Sequence, residues 1–331
     1  MNILILTNNP TRASFRQRIA VYLEVLRDNG IECEVARFPP GSLARWKLLK
    51  RSADFDGVFL HKKRLNLLDA FWLRRYAQKV IYDFDDAIMY SDKHPGRPSR
   101  KRQKSFQRTV ELADMVIADN SYLAEHARKY NPSVEVLPTG LDTCAYKLKA
   151  GPENNDKTRL VWIGSKSTLP YLAEIKPALE EIGSRFDDVV LRIVCDDFFD
   201  LENMQVEKRR WSLENQAVDL ATSHIGLAPL PDNKFTQSRF CFKILQYAAA
   251  GLPVIASPIG ANTEYVREGS NGFLAGDSSE WIDKISRLLS DSQLRKQMGQ
   301  AGRADVQRFD LKVQGEQLLN LINGCLKNIE T

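Results

Sequence analysis

Apolar residues gather in short runs separated by amphipathic stretches. "NILIL" (2–6), "IECEVARF" (31–38), "GVFLH" (57–61), "KVIYDF" (79–84), "MVIADN" (115–120) and "VEVLPTG" (134–140) have the length and flanks of buried strands. Residues 15–29 repeat at helical spacing, with Ile19, Leu23 and Leu26 on one face and Gly30 where a helix stop belongs. Strands alternating with helices predict a parallel sheet covered on both faces. A polar stretch containing Gly and Pro (147–159) follows as the expected linker, and then the pattern restarts. "LVWIG" (160–164), a helix over 170–182, "VVLRIVCD" (189–196), "IGLAPL" (225–230), a helix over about 240–250 stopped at Gly251, "VIAS" (254–257) and helices from about 280 onward complete it. The expected fold class is α/β, with two doubly wound, Rossmann-like domains over 1–150 and 151–310. Residues 311–331 form a C-terminal helix expected to pack back on the first domain. Ligands of such sheets sit at the carboxyl ends of strands, and the crevice facing both domains is the expected site.

Composition narrows the class. The chain has 331 residues, 43% of them apolar and 27% charged, as in soluble globular proteins. No apolar run approaches the roughly 18 residues of a membrane span, and "MNILILTNNP" reads as a first strand, not a signal peptide. Five scattered cysteines without a CxxC are expected to be reduced thiols of a cytoplasmic protein. Four histidines without paired spacing argue against zinc. Charge is uneven: residues 1–150 carry 26 Lys and Arg against 17 Asp and Glu, the remainder 21 against 25. A basic first half suits an acidic partner such as a phosphorylated acceptor or an anionic membrane face. "KHPGRPSRKRQKSFQR" (93–108) has seven basic residues and no acid, and is a candidate contact for anionic headgroups at the inner membrane face. No nucleic-acid recognition motif lies beside it.

The most specific stretch is "SRFCFKILQYAAAGLPVIASPIGANTEYVREGSNGFL" (238–274). It reads as a helix with Phe242, Leu245 and Ala249 inward, a Gly251 stop, a short buried strand, a turn at Gly260 and a second helix near Thr263. Loop-to-helix starts at strand ends offer free N–H groups to a phosphate. Arg239 and Lys243, four apart, are expected to share a helix face and flank a diphosphate. Together with "LPTGLD" (137–142), this stretch resembles the donor-sugar half of GT-B glycosyltransferases, in particular the retaining family 4 group that includes many cell-surface polysaccharide enzymes. The resemblance implies transfer from a nucleotide-diphosphate sugar to a lipid-linked or polysaccharide acceptor, with no metal or other cofactor. It implies donor contacts at Gly164, Ser165, Arg239, Lys243, Gln246, Gly260, Asn262 and Glu264. The family's two glutamates, eight apart, align with Ser238 and Gln246; an amide at Gln246 still hydrogen-bonds a ribose hydroxyl, whereas Ser238 is short and uncharged. The family's Arg and Lys after the first strand of this domain fall on Ser165 and Tyr171, with Lys166 and Thr168 nearby as substitutes.

"KVIYDFDDAIMY" (79–90) ends a strand on Asp83, Asp85 and Asp86. A DxD metal site, as in GT-A enzymes, is one reading. A haloacid-dehalogenase-type phosphatase using Asp83 and Asp85 is another, with Ala87 where Thr is usual. A non-catalytic nucleotide-sugar binder is a third possibility for the whole chain. Within the resemblance, Asp85 stands where many members carry a histidine that reaches the donor sugar. A carboxylate there stabilises positive charge at the anomeric carbon, orients an acceptor hydroxyl or takes its proton. Asp85, with Asp86 beside it, is therefore the expected catalytic position, and Asp83 and Asp86 are also candidates to cap the turn or pair with Arg16 or Arg18. Arg16 and Arg18 in the first strand–helix loop, Lys62 in "HKKRL" (61–65) with its neighbours His61 and Lys63, and Asn120 at another strand end are candidate acceptor or phosphate contacts.

Overall fold

The computed structural model describes residues 1–91, 99–146, 157–239 and 242–327. The chain divides into two compact units. One comprises Met1–Gly140, Asn233–Phe240 and Leu311–Thr331; the other comprises Leu141–Asp232 and Cys241–Asp310.

In the first unit, β1 (Asn2–Thr7), β2 (Glu32–Arg37), β3 (Gly57–His61), β4 (Val80–Phe84), β5 (Met115–Ala118) and β6 (Val134–Val136) form a parallel sheet in the order β2-β1-β3-β4-β5-β6. Its helices are α1 (Ala13–Arg18), α2 (Leu23–Asp28), α3 (Ser42–Lys50), α4 (Leu67–Tyr76), α5 (Arg100–Leu112) and α6 (Ser121–Arg128). Alternate strand residues serve opposite faces. Leu4, Leu60, Tyr82 and Val116 pack with Leu49 of α3, Leu73 of α4, Phe106 of α5 and Leu123 of α6. Ile5, Phe59, Ile81 and Ile117 pack with Phe15, Ile19, Leu26 and, from the C-terminal helix Leu311–Lys327, Leu318 and Ile322. Burial on both faces is why these strands read as nearly continuous apolar runs.

The single helix expected over 15–29 is a correction: α1 ends at Arg18, a 3₁₀ turn spans Ala20–Tyr22, and α2 follows. The tighter turn keeps Ile19 and Tyr22, three apart, on the buried side. Gly30 takes φ +77°, the left-handed stop its position suggested.

In the second unit, β7 (Thr158–Ile163), β8 (Val189–Cys195), β9 (Gln205–Arg210), β10 (Ile225–Ala228), β11 (Val254–Ala256) and β12 (Gly272–Leu274) run parallel in the order β12-β11-β10-β7-β8-β9. The helix expected over 170–182 is two: α7 (Leu169–Ala173) and α8 (Lys176–Arg185). Pro177 has no N–H to continue the first helix, and it sits instead in the first turn of the second. Then come α9 (Gln216–Ala221), α10 (Phe242–Ala249), α11 (Asn262–Tyr265), α12 (Ser278–Ser290) and α13 (Ser292–Asp305). Leu160, Trp162, Leu191, Ile193 and Leu227 form a core with Leu179 of α8 and Ile285 of α12. On the other face Gly226 lets the Tyr247 ring of α10 lie directly on the strand; a Cβ there would meet ring atoms.

Among the described residues no helix is long and apolar enough to cross a membrane. Cys33, Cys144, Cys195 and Cys325 are unpaired; Cys241 lies outside the described residues, as do 147–156 of the expected linker and 92–98 of the basic stretch.

Candidate functional site

The carboxyl ends of β1, β3, β4 and β5 hold a dense polar cluster. At its base is Arg18, 4% exposed. Its Nε donates to Asp83 Oδ1 and Oδ2 at 2.8 and 3.0 Å, and Nη1 donates to Asp119 Oδ1 at 2.8 Å and to the Leu137 carbonyl at 2.9 Å. Asp119 Oδ1 also accepts from the Thr139 N–H and hydroxyl at 2.8 and 2.6 Å. The "LPTG" motif is thus tied to the sheet through Arg18 and Asp119. Gly140 is required here, because a Cβ would strike the Tyr22 hydroxyl. Arg18 was a candidate acceptor or phosphate contact and also a candidate partner of Asp83; the structure buries it between two carboxylates, so the first expectation is corrected and the pairing with Asp83 is found.

Burial pushes Asp119 up to about 6, against the opposing pull of Arg18 and Thr139. A carboxyl raised above its unfolded value adds stability at low pH and loses it as pH rises through about 6. Between pH 5 and 7.5 that loss is on the order of 1 kcal/mol. His61 works the other way: burial holds it below its ordinary value, so it adds stability as pH rises through its unfolded pKa. Comparison with Asp119→Asn separates them. The variant's stability relative to wild type is expected to rise by on the order of 1 kcal/mol from pH 5 to 7.5, read from urea melts; a pH-independent difference contradicts the assignment.

Above this base, Lys62 sits just past β3 with φ +55°, the described residue other than glycine in the left-handed region. Strain of this kind at a strand end often accompanies function. Its Nζ lies 2.7 Å from Asp85 Oδ1, donates to Asp86, and approaches Ser14 Oγ at 3.5 Å. Ser14 donates to Asp85 Oδ2 at 2.6 Å. His61 Nε2 is 3.3 Å from the same hydroxyl and Nδ1 is 3.1 Å from Thr7 Oγ1. With the Ser14 hydrogen directed at Asp85, the network closes when His61 carries its proton on Nε2. Burial alone would raise Asp85, but Lys62, His61 and Arg18 hold it well below the usual carboxylate range.

The three aspartates therefore divide. Asp83 turns to Arg18, while Asp85 and Asp86 share Lys62. Each is met by a protein cation, and no cluster of three metal-ligating side chains occurs among the described residues. Asp83 is 1% exposed, out of reach for a phosphatase nucleophile. Arg16 is exposed on α1. Asn120 does not line an opening: it is 2% exposed, accepts from the Leu123 N–H as the cap of α6 and donates to the Ser238 carbonyl at 2.7 Å. Ser238 is likewise internal to this unit, accepting from the Ala87 N–H at 3.0 Å and donating to the Phe235 carbonyl at 2.6 Å.

Arg239 and Lys243 do not share a helix face. Arg239 is extended (φ −77°, ψ 126°), outside any helix, with its guanidinium 5.3 Å over the Phe235 ring, whereas Lys243 lies in α10. In the second unit Lys243 places Nζ 4.3 Å over the Trp162 ring. Gly164 faces that same ring; a Cβ would lie 2.5 Å from Trp162 Cζ2. The turn after β7 is tied by Ser165 N–H to Thr168 Oγ1 at 3.2 Å and Thr168 Oγ1 to the Ser165 carbonyl at 3.0 Å. Lys166 points away, 3.0 Å from Asp197. After β11, Gly260 takes φ +55°, Asn262 is buried and donates to the Ser257 carbonyl at 3.0 Å, and Glu264 is exposed on α11.

Gln246 is 7% exposed, and its amide nitrogen donates to the Tyr146 hydroxyl at 2.8 Å and Gln216 Oε1 at 3.1 Å. Trp211 Nε1 reaches the same Gln216 oxygen at 3.3 Å, leaving its indole 39% exposed. Sequence reasoning missed Ser14, Tyr146, Trp211 and Gln216. Only Trp211 carried a signal, an aromatic residue at the end of a basic run.

Residues 142–291 match the family model described as Glycosyl transferases group 1. Over that stretch the chain is similar to the group 1 glycosyltransferases. It is 34% identical over 84 residues to a phosphatidyl-myo-inositol mannosyltransferase of Mycobacterium leprae, which covers 25% of this chain and 22% of that protein. It is 22% identical over 215 residues to an N-acetyl-alpha-D-glucosaminyl L-malate synthase of Bacillus anthracis, covering 60% and 56%. These matches span only part of each glycosyltransferase's length. The crystal structure of Anabaena HepE in complex with UDP and glucose superimposes with a TM-score of 0.74 over 98% of this chain and all of that one, at 18% identity. That likeness establishes the fold, GT-B with two Rossmann-like units.

Proposed function

We propose that the protein transfers a sugar from a nucleoside-diphosphate sugar to a lipid-linked or polysaccharide acceptor, with retention at the anomeric carbon and without an essential metal. The observation that carries this reading is the convergence on Trp162 of an ammonium group, Lys243, and a glycine turn, Gly164–Ser165, at a strand's carboxyl end. A cation beside a turn at a strand's carboxyl end is an arrangement that suits a leaving diphosphate. Gln246, steadied by Tyr146, offers its amide oxygen to a ribose hydroxyl, and the exposed indole of Trp211 offers a face to the base. The relatives' names include transfer to a phosphatidylinositol, which supports a lipid-linked acceptor.

In the first unit Asp85 stays anionic. A carboxylate held this low is a weak base at neutral pH and a strong hydrogen-bond acceptor. Its role in this reading is to hold and polarise an acceptor hydroxyl, with Lys62 fixing its position.

A thermal-shift panel of UDP, GDP, ADP and their sugars tests the donor class. UDP is the first to try because a protein of the same fold binds it. One nucleotide series is expected to raise the melting temperature, since ligand at a hundred times Kd adds about 2.7 kcal/mol. No shift with any of them, or phosphate release from an aryl phosphate with Mg²⁺, overturns the reading.

A further inference from the structure

Helices α3 and α4 leave an apolar surface uncovered. Leu43, Leu67, Leu68 and Phe71 are exposed to 66%, 71%, 58% and 65%. Trp46 and Trp72 are half-buried beside them, and together with Ser42 and Leu43 they line a shallow cavity of about 480 Å³. Arg45 Nε bonds Asp69 Oδ1 at 2.9 Å, fastening α3 against α4 beneath this surface. On α4, Leu67 and Phe71, like Leu68 and Trp72, stand four apart and form two adjoining strips. Large side chains projecting together from a folded surface mark an interaction site; scattered single ones do not.

The charge around the patch says what covers it. Helix α5 lies alongside α4: Thr109 Oγ1 accepts from the Leu65 N–H at 2.8 Å, and Arg108 donates to the Leu65 carbonyl at 3.1 Å, just before α4 begins. Helices α3, α4 and α5 cover the same face of the first sheet. They carry ten Lys and Arg, opposed only by Asp69 and Glu111, and Asp69 is buried on Arg45. Lys47, Lys50, Arg75, Lys101 and Lys104 are exposed. Leucine and phenylalanine at the tip, indoles behind them and cations at the margin match the depth profile of a bilayer surface: acyl chains, interface, then anionic headgroups.

We propose that the face formed by α3, α4 and α5 docks on an anionic phospholipid bilayer, with Leu67, Leu68 and Phe71 inserted among the acyl chains. The proposal stands on this surface and not on the transfer reaction, so it is testable even if the donor assignment fails.

The experiment is co-sedimentation of the full chain with vesicles of phosphatidylcholine alone or with 30 mol% phosphatidylglycerol. Wild type is expected to bind the anionic vesicles at least tenfold more strongly than the neutral ones, and to be released by high salt. The triple variant Leu67→Ser/Leu68→Ser/Phe71→Ser is expected to lose at least tenfold in binding, and Lys101→Glu/Lys104→Glu to lose the preference for anionic lipid. All five positions are exposed, and melting temperatures at the wild-type value confirm that the variants fold. If the triple variant misfolds, the charge pair alone decides. The proposal is overturned if wild type stays in the supernatant with anionic vesicles, or if the variants bind as well as wild type. It is also overturned if light scattering shows a wild-type dimer that the triple variant converts to monomer, because the patch would then be covered by a second copy.

Discussion

Arg18→Met is expected to destabilise the first unit by about 3–5 kcal/mol. The substitution keeps the volume of the stem but leaves Asp83 and Asp119, each no more than 2% exposed, without their shared cation. Removing one partner of a buried ion pair is costly because the remaining charge has neither water nor a counterion; here two remain. It also unties the Leu137 carbonyl and indirectly Thr139, so the "LPTG" strand end loosens. The expected signature is a drop in the first melting transition of about 10 °C. Arg18→Lys keeps a charge but not the fork that bonds both acids, and should recover only part of the loss. A melting temperature for Arg18→Met within a degree of wild type would show that the cluster does not hold this unit together.

Asp85→Asn is expected to lower kcat by about 10²–10³ while leaving nucleotide affinity unchanged. The substitution is close to isosteric, and Lys62 keeps Asp86 as a counterion. What disappears is the full negative charge proposed to hold the acceptor hydroxyl. Nucleotide affinity is the internal control, because the proposed diphosphate site lies on the second unit. Asp86→Asn should cost less, since Asp86 meets Lys62 at the more exposed side of the cluster. An unchanged kcat for Asp85→Asn would reduce Asp85 to a turn residue whose purpose is to fix Lys62.

Much of the fold was legible because burial on both faces writes strands as apolar runs, and because glycine marks the stops. Gly30, Gly251 and Gly260 all adopt positive φ, where other residues are strained. The strand β9, "QVEKRR", was not legible. It is an edge strand, and edges carry charge to discourage further pairing; Glu207 on it bonds Arg192 of the adjacent β8 and Arg159 of β7. β12 has three residues, too few for a period.

The site was legible in its chemistry more than in its geometry. The aspartate cluster could be picked out, but which aspartate faces which cation depends on partners 65 and 101 residues from Arg18. Local pattern contains nothing of that. The spacing of Arg239 and Lys243 suggested a shared face because both were read as helical; with Arg239 extended, four residues no longer means one turn. Lys62's left-handed backbone was equally invisible, since nothing in "HKKRL" asks for it.

Calorimetric titration of the best nucleoside diphosphate into wild type and Lys243→Ala tests the central claim most directly. The account expects the variant to bind about tenfold to a hundredfold more weakly, the 1.5–3 kcal/mol of a hydrogen bond to a charged group. Equal affinity in the two proteins, or no binding of any nucleoside diphosphate to wild type, would contradict it.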